Sequence, residues 1–230
     1  MKEPISPYVE DRYAEKNEFI SMQPDMSELP DFEKEKGKLP EPVWAGHDDE
    51  IAAYYKAWEI AFRNLGKPTK ESGFVSPYID AAFNGHIFMW DSCFMLMFGK
   101  YGDSVHCFQK TLDNFYCKQH KDGFICREIN ELDGVDRFYR HDPTSTGPEI
   151  MAWCEWQYYK TETKTGSKKF IIRCSRSTIG SRIIIAGRTG AIGRAVGAAA
   201  WTICRAAILS SSPTRRTGSL RLSTTAICHG

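Results

Sequence analysis

Acidic residues end abruptly in this chain at Glu162. All 29 aspartates and glutamates lie at or before that position, and the last 68 residues contain none. From Ile171 onward the chain also lacks lysine, asparagine, glutamine, phenylalanine and tyrosine. A natural domain boundary rarely removes so many residue types at once. The sequence therefore divides into two parts of unrelated composition, and we base the functional interpretation on the first.

The net charge of +1 conceals an opposition between the two parts. Residues 1–162 carry 18 basic and 29 acidic side chains, a net charge of −11, whereas residues 163–230 carry 12 basic side chains and no acidic ones, a net charge of +12. An acidic surface repels phosphates, so we expect no nucleic-acid partner for the first part. That part is also rich in aromatic residues and can bury a sizeable core.

Targeting signals and metal motifs are not evident in the sequence. The first residues lack the apolar region of a secretory signal, and no run of about 18 apolar residues indicates a membrane span. We therefore expect no membrane partner and a cytoplasmic location, or a periplasmic or secreted one if a signal has been removed. The eight cysteines show no CxxC motif and no metal-like spacing. We expect no metal or cofactor, and we predict buried thiols at Cys93, Cys107 and Cys117.

Helical periodicity dominates the first part after a polar start. Residues 1–46 are polar and interrupted by prolines, which predicts an extended N-terminal arm. Asp48 and Asp49 begin a predicted helix that stops near Gly66. Apolar spacing predicts three more helices, over residues 86–102, 104–119 and 148–160. No strand of alternating polarity is convincing in the first 160 residues. The expected fold class is all-α, with the helices packed in layers.

Two dipeptides in this helical part are candidates for chemistry. Trp90 and Asp91 begin the most apolar helix, where a carboxylate is costly unless it is paired or used. An aromatic ring beside an acid is typical of sugar sites, because the ring stacks on C–H faces and the carboxylate accepts hydroxyl hydrogen bonds. The alternative is a helix-initiating aspartate beside a core tryptophan. Arg127 and Glu128 follow a turn, and for them the alternative is a solvated ion pair.

Three segments, taken in order, carry a family resemblance: FMWDSCF (88–94), DGFICRE (122–128) and STGPEIMAWCEWQYYK (145–160). They resemble the six-hairpin glycosidases, especially glycoside hydrolase family 63 and the mannosylglycerate-hydrolase-like group, with trehalases as more distant relatives. The resemblance covers roughly residues 45–165. It implies a partial (α/α)6 toroid over residues 47–165.

The resemblance also implies a function. The resemblance implies an inverting hydrolase that acts on α-linked sugars, so the implied partner is an oligosaccharide or a small glycoside. Trp90 and Asp91 would line a sugar subsite, and Arg127 and Glu128 would lie near it. Inversion needs a carboxylic acid and a carboxylate base about 6.5–9.5 Å apart. In the family the acid lies in a later motif resembling GWGSGMDNxPR, and the base lies beyond it.

Neither the acid motif nor the base is present in the chain as written. We therefore expect little hydrolase activity, and we expect an incomplete barrel to self-associate through exposed apolar helix faces.

A shifted reading frame accounts for the missing motif. When residues 186–205 are back-translated and read one frame over, the codons can spell W-P-D-G-S-Y-W-S-S-G-W-G-S-G-M-D-N-M-P-R. Only the aspartate is compelled, because the codons TGG and ACN of Trp201 and Thr202 contain GAC. We predict a frameshift between about Lys160 and Ile171, so that residues 166–230 form a tail without a function of its own.

Other interpretations of the chain remain open. Residues 183–200 resemble a dinucleotide-binding strand, turn and helix, but their glycines depart from the G-x-G-x-x-G spacing and no acidic residue follows to hold a ribose. The arginine-rich tail could be a nucleic-acid arm, although it lacks interleaved aromatic residues. For the first part, the alternative to a glycosidase is a non-enzymatic helical module that binds a carbohydrate or a protein.

Overall fold

The computed structural model describes residues 17–121, 123–138 and 150–161. Regular structure within these ranges consists of five α-helices and four short β-strands. The helices are α1 (Phe32–Glu35), α2 (Asp48–Arg63), α3 (Met89–Gly99), α4 (Thr111–Cys117) and α5 (Met151–Thr161). The strands are β1 (Leu65–Gly66), β2 (Tyr78–Ile79), β3 (His86–Phe88) and β4 (Glu128–Asn130). Short 3-10 turns lie at Glu18–Ser21, Lys36–Lys38, Lys100–Gly102 and Phe108–Lys110.

The longest helix, α2, confirms the helix predicted from Asp48. Three acidic residues occupy its first turn and Arg63 occupies its last, which complements the helix dipole at both ends. Trp58 and Phe62, four residues apart, form its buried face. The helix ends before Gly66 because the next residues leave the helical path and pair as β1 with β2.

The helical character of the expected fold is confirmed, but all-α is too strong a description. Strands β1 and β2 pair antiparallel with Leu65 opposite Ile79, and β3 and β4 pair antiparallel with Ile87 opposite Ile129. Strands of two or three residues are too short to produce an alternating pattern in the sequence. The helix predicted over residues 86–102 accordingly begins at Met89, because the three residues before it belong to β3.

The helix predicted over residues 104–119 is shorter than expected. Turns occupy its first part, and regular α-helix covers only Thr111–Cys117. This change affects the predicted buried thiols: Cys93 is buried and Cys117 is half-buried, but Cys107 is exposed. Cys107 immediately precedes a 3-10 turn and therefore does not lie on the inner face of a helix.

Aromatic side chains form the centre of the core around Phe108, which is fully buried. The rings of Trp58, Phe62 and Phe98 lie 5.9, 6.4 and 6.4 Å from its ring, centroid to centroid. Gly102 permits this packing, since a Cβ atom there would lie 2.8 Å from Cη2 of Trp58. The tight approach brings the end of α3 onto the aromatic cluster.

Residues 17–46, within the predicted arm, pack against the helical body. Phe19 and Leu39 join the hydrophobic core. The Asn17 side chain donates a hydrogen bond to the Tyr116 carbonyl oxygen at 2.7 Å, and Asp25 forms a 2.7 Å ion pair with Lys110. These contacts connect the start of the described chain to α4 and the turn before it.

Several predictions concern residues outside the described ranges. They include the first 16 residues of the arm, the tail over residues 166–230 and the glycine-rich segment over residues 183–200. In the part of the chain that the structure describes, no helix is long and apolar enough to cross a membrane.

Candidate functional site

The β3–β4 ladder brings the two candidate dipeptides together. Phe88, the last residue of β3, pairs with Glu128 at the start of β4. One residue further, the Met89 amide donates a 2.8 Å hydrogen bond to the Arg127 carbonyl oxygen. Helix α3 begins at that same residue, so Trp90 and Asp91 leave the ladder beside the backbone of Arg127. Two segments far apart in sequence thus meet through main-chain hydrogen bonds.

Trp90 and Asp91 both lie at the surface in the first turn of α3. Trp90 is 46% exposed, and its ring lies 5.1 Å from the Phe94 ring at an interplanar angle of 59°. Asp91 is exposed, so its carboxylate carries no cost of burial. The alternative of a core tryptophan therefore does not describe Trp90. An exposed ring and an exposed carboxylate in the same helical turn are available to a ligand.

Arg127 and Glu128 are less accessible and have different surroundings. The Arg127 guanidinium carbon lies 4.0 Å from the centre of the Phe138 ring, which is a cation–π contact. Glu128 is buried, and its Oε1 lies 3.2 Å from Nδ1 of His86. The alternative of a solvated ion pair therefore does not describe Glu128.

The hydrogen-bond network around His86 assigns the tautomer of its ring. Nδ1 faces two acceptors, the Asn84 Oδ1 at 3.0 Å and the Glu128 carboxylate. Nε2 lies 3.0 Å from the amide nitrogen of Asn130, which can only donate. The neutral ring therefore carries its proton on Nδ1 and accepts at Nε2. Glu128 consequently holds a histidine in place across the ladder, and Trp90 and Asp91 are the exposed members of the two dipeptides.

A carboxyl pair beside the two ladders was not predicted from the sequence. Glu131 follows β4, Asp80 follows β2, and the two carboxyl groups lie close enough for their charges to interact. The Tyr78 hydroxyl donates to Oε2 of Glu131 at 3.1 Å. Burial, together with the charge of Asp80, raises the pKa of Glu131 to about 7. Glu131 therefore keeps its proton at mildly acidic pH, and its hydrogen bond with Tyr78 joins β2 to the segment after β4.

Glu155, a buried carboxylate among the aromatic residues of α5, was also not predicted from the sequence. It is fully buried, accepts a 2.6 Å hydrogen bond from the Gln109 amide and a 3.1 Å hydrogen bond from the Tyr116 hydroxyl. These bonds join α5 to α4 and to the turn before α4. The sequence signal was a single acid among large aromatic residues, which indicates a satisfied buried group.

The described ranges contain no group of three His, Cys, Asp or Glu side chains that could hold a metal ion. Comparisons with protein-family models, with curated proteins and with solved structures gave no match for this chain.

Proposed function

We propose that this chain represents the first part of a glycosidase domain with (α/α)6 toroid architecture, and that it binds an α-linked oligosaccharide or small glycoside. The observation that carries the proposal is the 2.8 Å hydrogen bond from the Met89 amide to the Arg127 carbonyl oxygen. This bond sets the Trp-Asp and Arg-Glu dipeptides side by side, as a shared sugar subsite requires.

The exposed pair at the start of α3 supplies the sugar contacts in this proposal. The half-exposed Trp90 ring offers an apolar face for the C–H groups of a pyranose, and the Asp91 carboxylate accepts hydrogen bonds from its hydroxyl groups. Arg127 supports this surface through its backbone carbonyl, which accepts from the Met89 amide, while its guanidinium packs on the Phe138 ring. Glu128 has a positioning role through His86.

Hydrolysis is not expected from this chain alone. An inverting hydrolase needs a general acid and a general base on opposite sides of the scissile bond. The motif that resembles the family's acid motif is found only in the shifted frame, and Asp91 by itself supplies one carboxylate. We therefore propose sugar binding with little or no turnover for the chain as written.

Ligand binding by matched tryptophan variants tests the proposal. Saturation-transfer NMR against a panel of α-linked gluco- and manno-disaccharides measures the dissociation constants. Loss of one aromatic contact costs about 1–1.5 kcal/mol, so Trp90→Ala should weaken binding about tenfold. Trp44 is also an exposed tryptophan, at 56%, but it lies outside the proposed site, so Trp44→Ala is the control. Asp91→Asn should weaken binding without changing the fold.

Two outcomes would count against this function. The sugar-binding proposal fails if the unaltered chain binds none of the disaccharides, or if Trp44→Ala and Trp90→Ala weaken binding equally. The proposal of little turnover fails if the purified chain releases nitrophenol from α-glycosides at rates typical of enzymes, about 1 per second or more.

A protein-binding module is a second candidate function, and one observation favours it. Trp90, Phe94 and Phe98 recur every four residues on α3, and they are 46%, 45% and 38% exposed. A row of exposed aromatic rings along one helix is typical of a surface that another polypeptide covers. Self-association through this row would appear as a concentration-dependent mass in analytical ultracentrifugation, and Phe94→Ser should reduce it.

A further inference from the structure

Two buried cysteines meet where α3 packs against α5. Cys93 lies in α3 and Cys154 lies in α5, and both side chains are fully buried. The Cys154 thiol donates a hydrogen bond to the Cys93 carbonyl oxygen, with the sulfur 3.7 Å from that oxygen. Two cysteines that are 61 residues apart in sequence therefore contact each other directly in the core.

We propose that Cys93 and Cys154 form a dithiol site that glutathione disulfide, or a similar small disulfide, converts into an intrachain disulfide joining α3 to α5.

The packing of the two helices favours this bond over other uses of the pair. A disulfide needs the two sulfurs about 2.05 Å apart and the Cα atoms about 4.4–6.8 Å apart, so its helices must approach closely. Helices α3 and α5 do so where the Cys154 sulfur meets the Cys93 carbonyl oxygen. No group of three potential metal ligands occurs among the described residues, so the pair does not belong to a metal cluster there. The hydrogen bond from the Cys154 thiol to the Cys93 backbone instead makes each cysteine the neighbour of the other.

The reaction proceeds by two exchanges and balances without any further reagent. One cysteine attacks glutathione disulfide, which forms a mixed disulfide and releases one glutathione thiol. The other cysteine then attacks the mixed disulfide, which forms the Cys93–Cys154 bond and releases the second glutathione. The two protein thiols lose two electrons and two protons, and the small disulfide gains them.

Burial controls the rate of this chemistry. Desolvation raises the pKa of the Cys93 thiol well above its ordinary value, so the reactive thiolate is scarce while the helices are packed. The first exchange therefore requires α5 to separate transiently from α3. Once formed, the bond is shielded from reductants for the same reason, and it fixes α5 to the helix that carries Trp90.

Peptide mapping of the intact chain tests the proposal. The reduced chain is incubated in glutathione buffers of increasing oxidation until its composition is constant, quenched in acid, alkylated and digested. We expect one linked peptide pair containing Cys93 and Cys154, with the loss of two hydrogen atoms. The exposed Cys107 should instead become a mixed disulfide with glutathione. A chain oxidised first and then returned to each buffer should reach the same composition.

Variants separate this pair from nonspecific oxidation. Cys93→Ser and, independently, Cys154→Ala should each abolish the linked peptide, whereas Cys117→Ser, at a half-buried cysteine, should leave it unchanged. Peptide mapping of the unaltered chain shows whether the Cys93–Cys154 disulfide forms even if one variant fails to fold. The proposal is overturned if no Cys93–Cys154 peptide forms in buffers that fully modify Cys107. It is also overturned if Cys93 links equally to several other cysteines.

Discussion

Replacing Asn114 by alanine should destabilise the protein more than its small size suggests. Asn114 lies in α4 and is fully buried. Its Oδ1 accepts hydrogen bonds from the backbone amides of Val75 and Ser76 at 2.9 and 3.1 Å, and its Nδ2 donates to the Ser76 carbonyl oxygen at 2.9 Å. One side chain thus satisfies three buried main-chain groups in the segment that leads to β2.

The magnitude follows from the groups that the substitution leaves unpaired. Both Val75 and Ser76 are buried, so their amides and the Ser76 carbonyl cannot turn to bulk water. Each buried group without a partner costs about 1–3 kcal/mol. The three costs overlap, because one water molecule in the vacated space can serve more than one group. We therefore expect Asn114→Ala to lower the free energy of unfolding by about 3–5 kcal/mol.

Urea denaturation followed by circular dichroism measures this change. Asn84→Ala is the matched control, because the Asn84 side chain is exposed. Its hydrogen-bond partner is a side chain, the His86 ring, and not the buried main chain. The control should change the free energy of unfolding by no more than about 0.5 kcal/mol. A loss below about 1 kcal/mol in Asn114→Ala, at an unchanged denaturant slope, would refute the view that these hydrogen bonds hold the segment.

Two further predictions concern the core and the carboxyl pair. Gly102→Ala should lower the free energy of unfolding by about 1–3 kcal/mol, because the new Cβ atom would lie 2.8 Å from the buried Trp58 ring. Gly37→Ala is the control and should not destabilise the protein, because no atom lies within 4 Å of its Cβ position. Equal losses for the two variants in thermal denaturation would contradict this prediction. The pKa of Glu131 is raised from 4.5 to about 7, so the folded protein binds the extra proton and stability should fall as pH rises across that interval. Glu131→Gln should remove this part of the decline in stability, and identical pH profiles for the variant and the unaltered chain would argue against a raised pKa at Glu131.

Local patterns in the sequence predicted the helices better than the strands. The acidic start and the four-residue spacing of Trp58 and Phe62 lie within a single element, so α2 was predictable from its own residues. The β3–β4 ladder depends on pairing between His86 and Asn130, which lie far apart in sequence. Nothing in either three-residue segment records the identity of its partner. The short strands, and the late start of α3, could therefore not be predicted.

In the candidate site, too, local features could be predicted from the sequence and long-range contacts could not. Trp90 and Asp91 were identifiable from residue type and position, because a ring beside an acid at a helix start is a local signal. The contact between Asp80 and Glu131 arises from two separate ladders, so no local pattern indicates it. The burial of Glu128 was likewise invisible, because it depends on the position of His86 across the ladder. The sugar-binding role itself stays a prediction.

The hydrogen bond between the Met89 amide and the Arg127 carbonyl joins two main-chain segments without using any side-chain atom. It uses main-chain atoms that almost every amino acid possesses, so the side chain at position 127 can be exchanged without removing it. Proline at position 89 is the exception, because it has no amide hydrogen to donate. The main-chain bond thus fixes the spacing of the neighbouring dipeptides independently of their side chains, and a library randomised at positions 90, 91 and 127 would vary those side chains at an unchanged spacing.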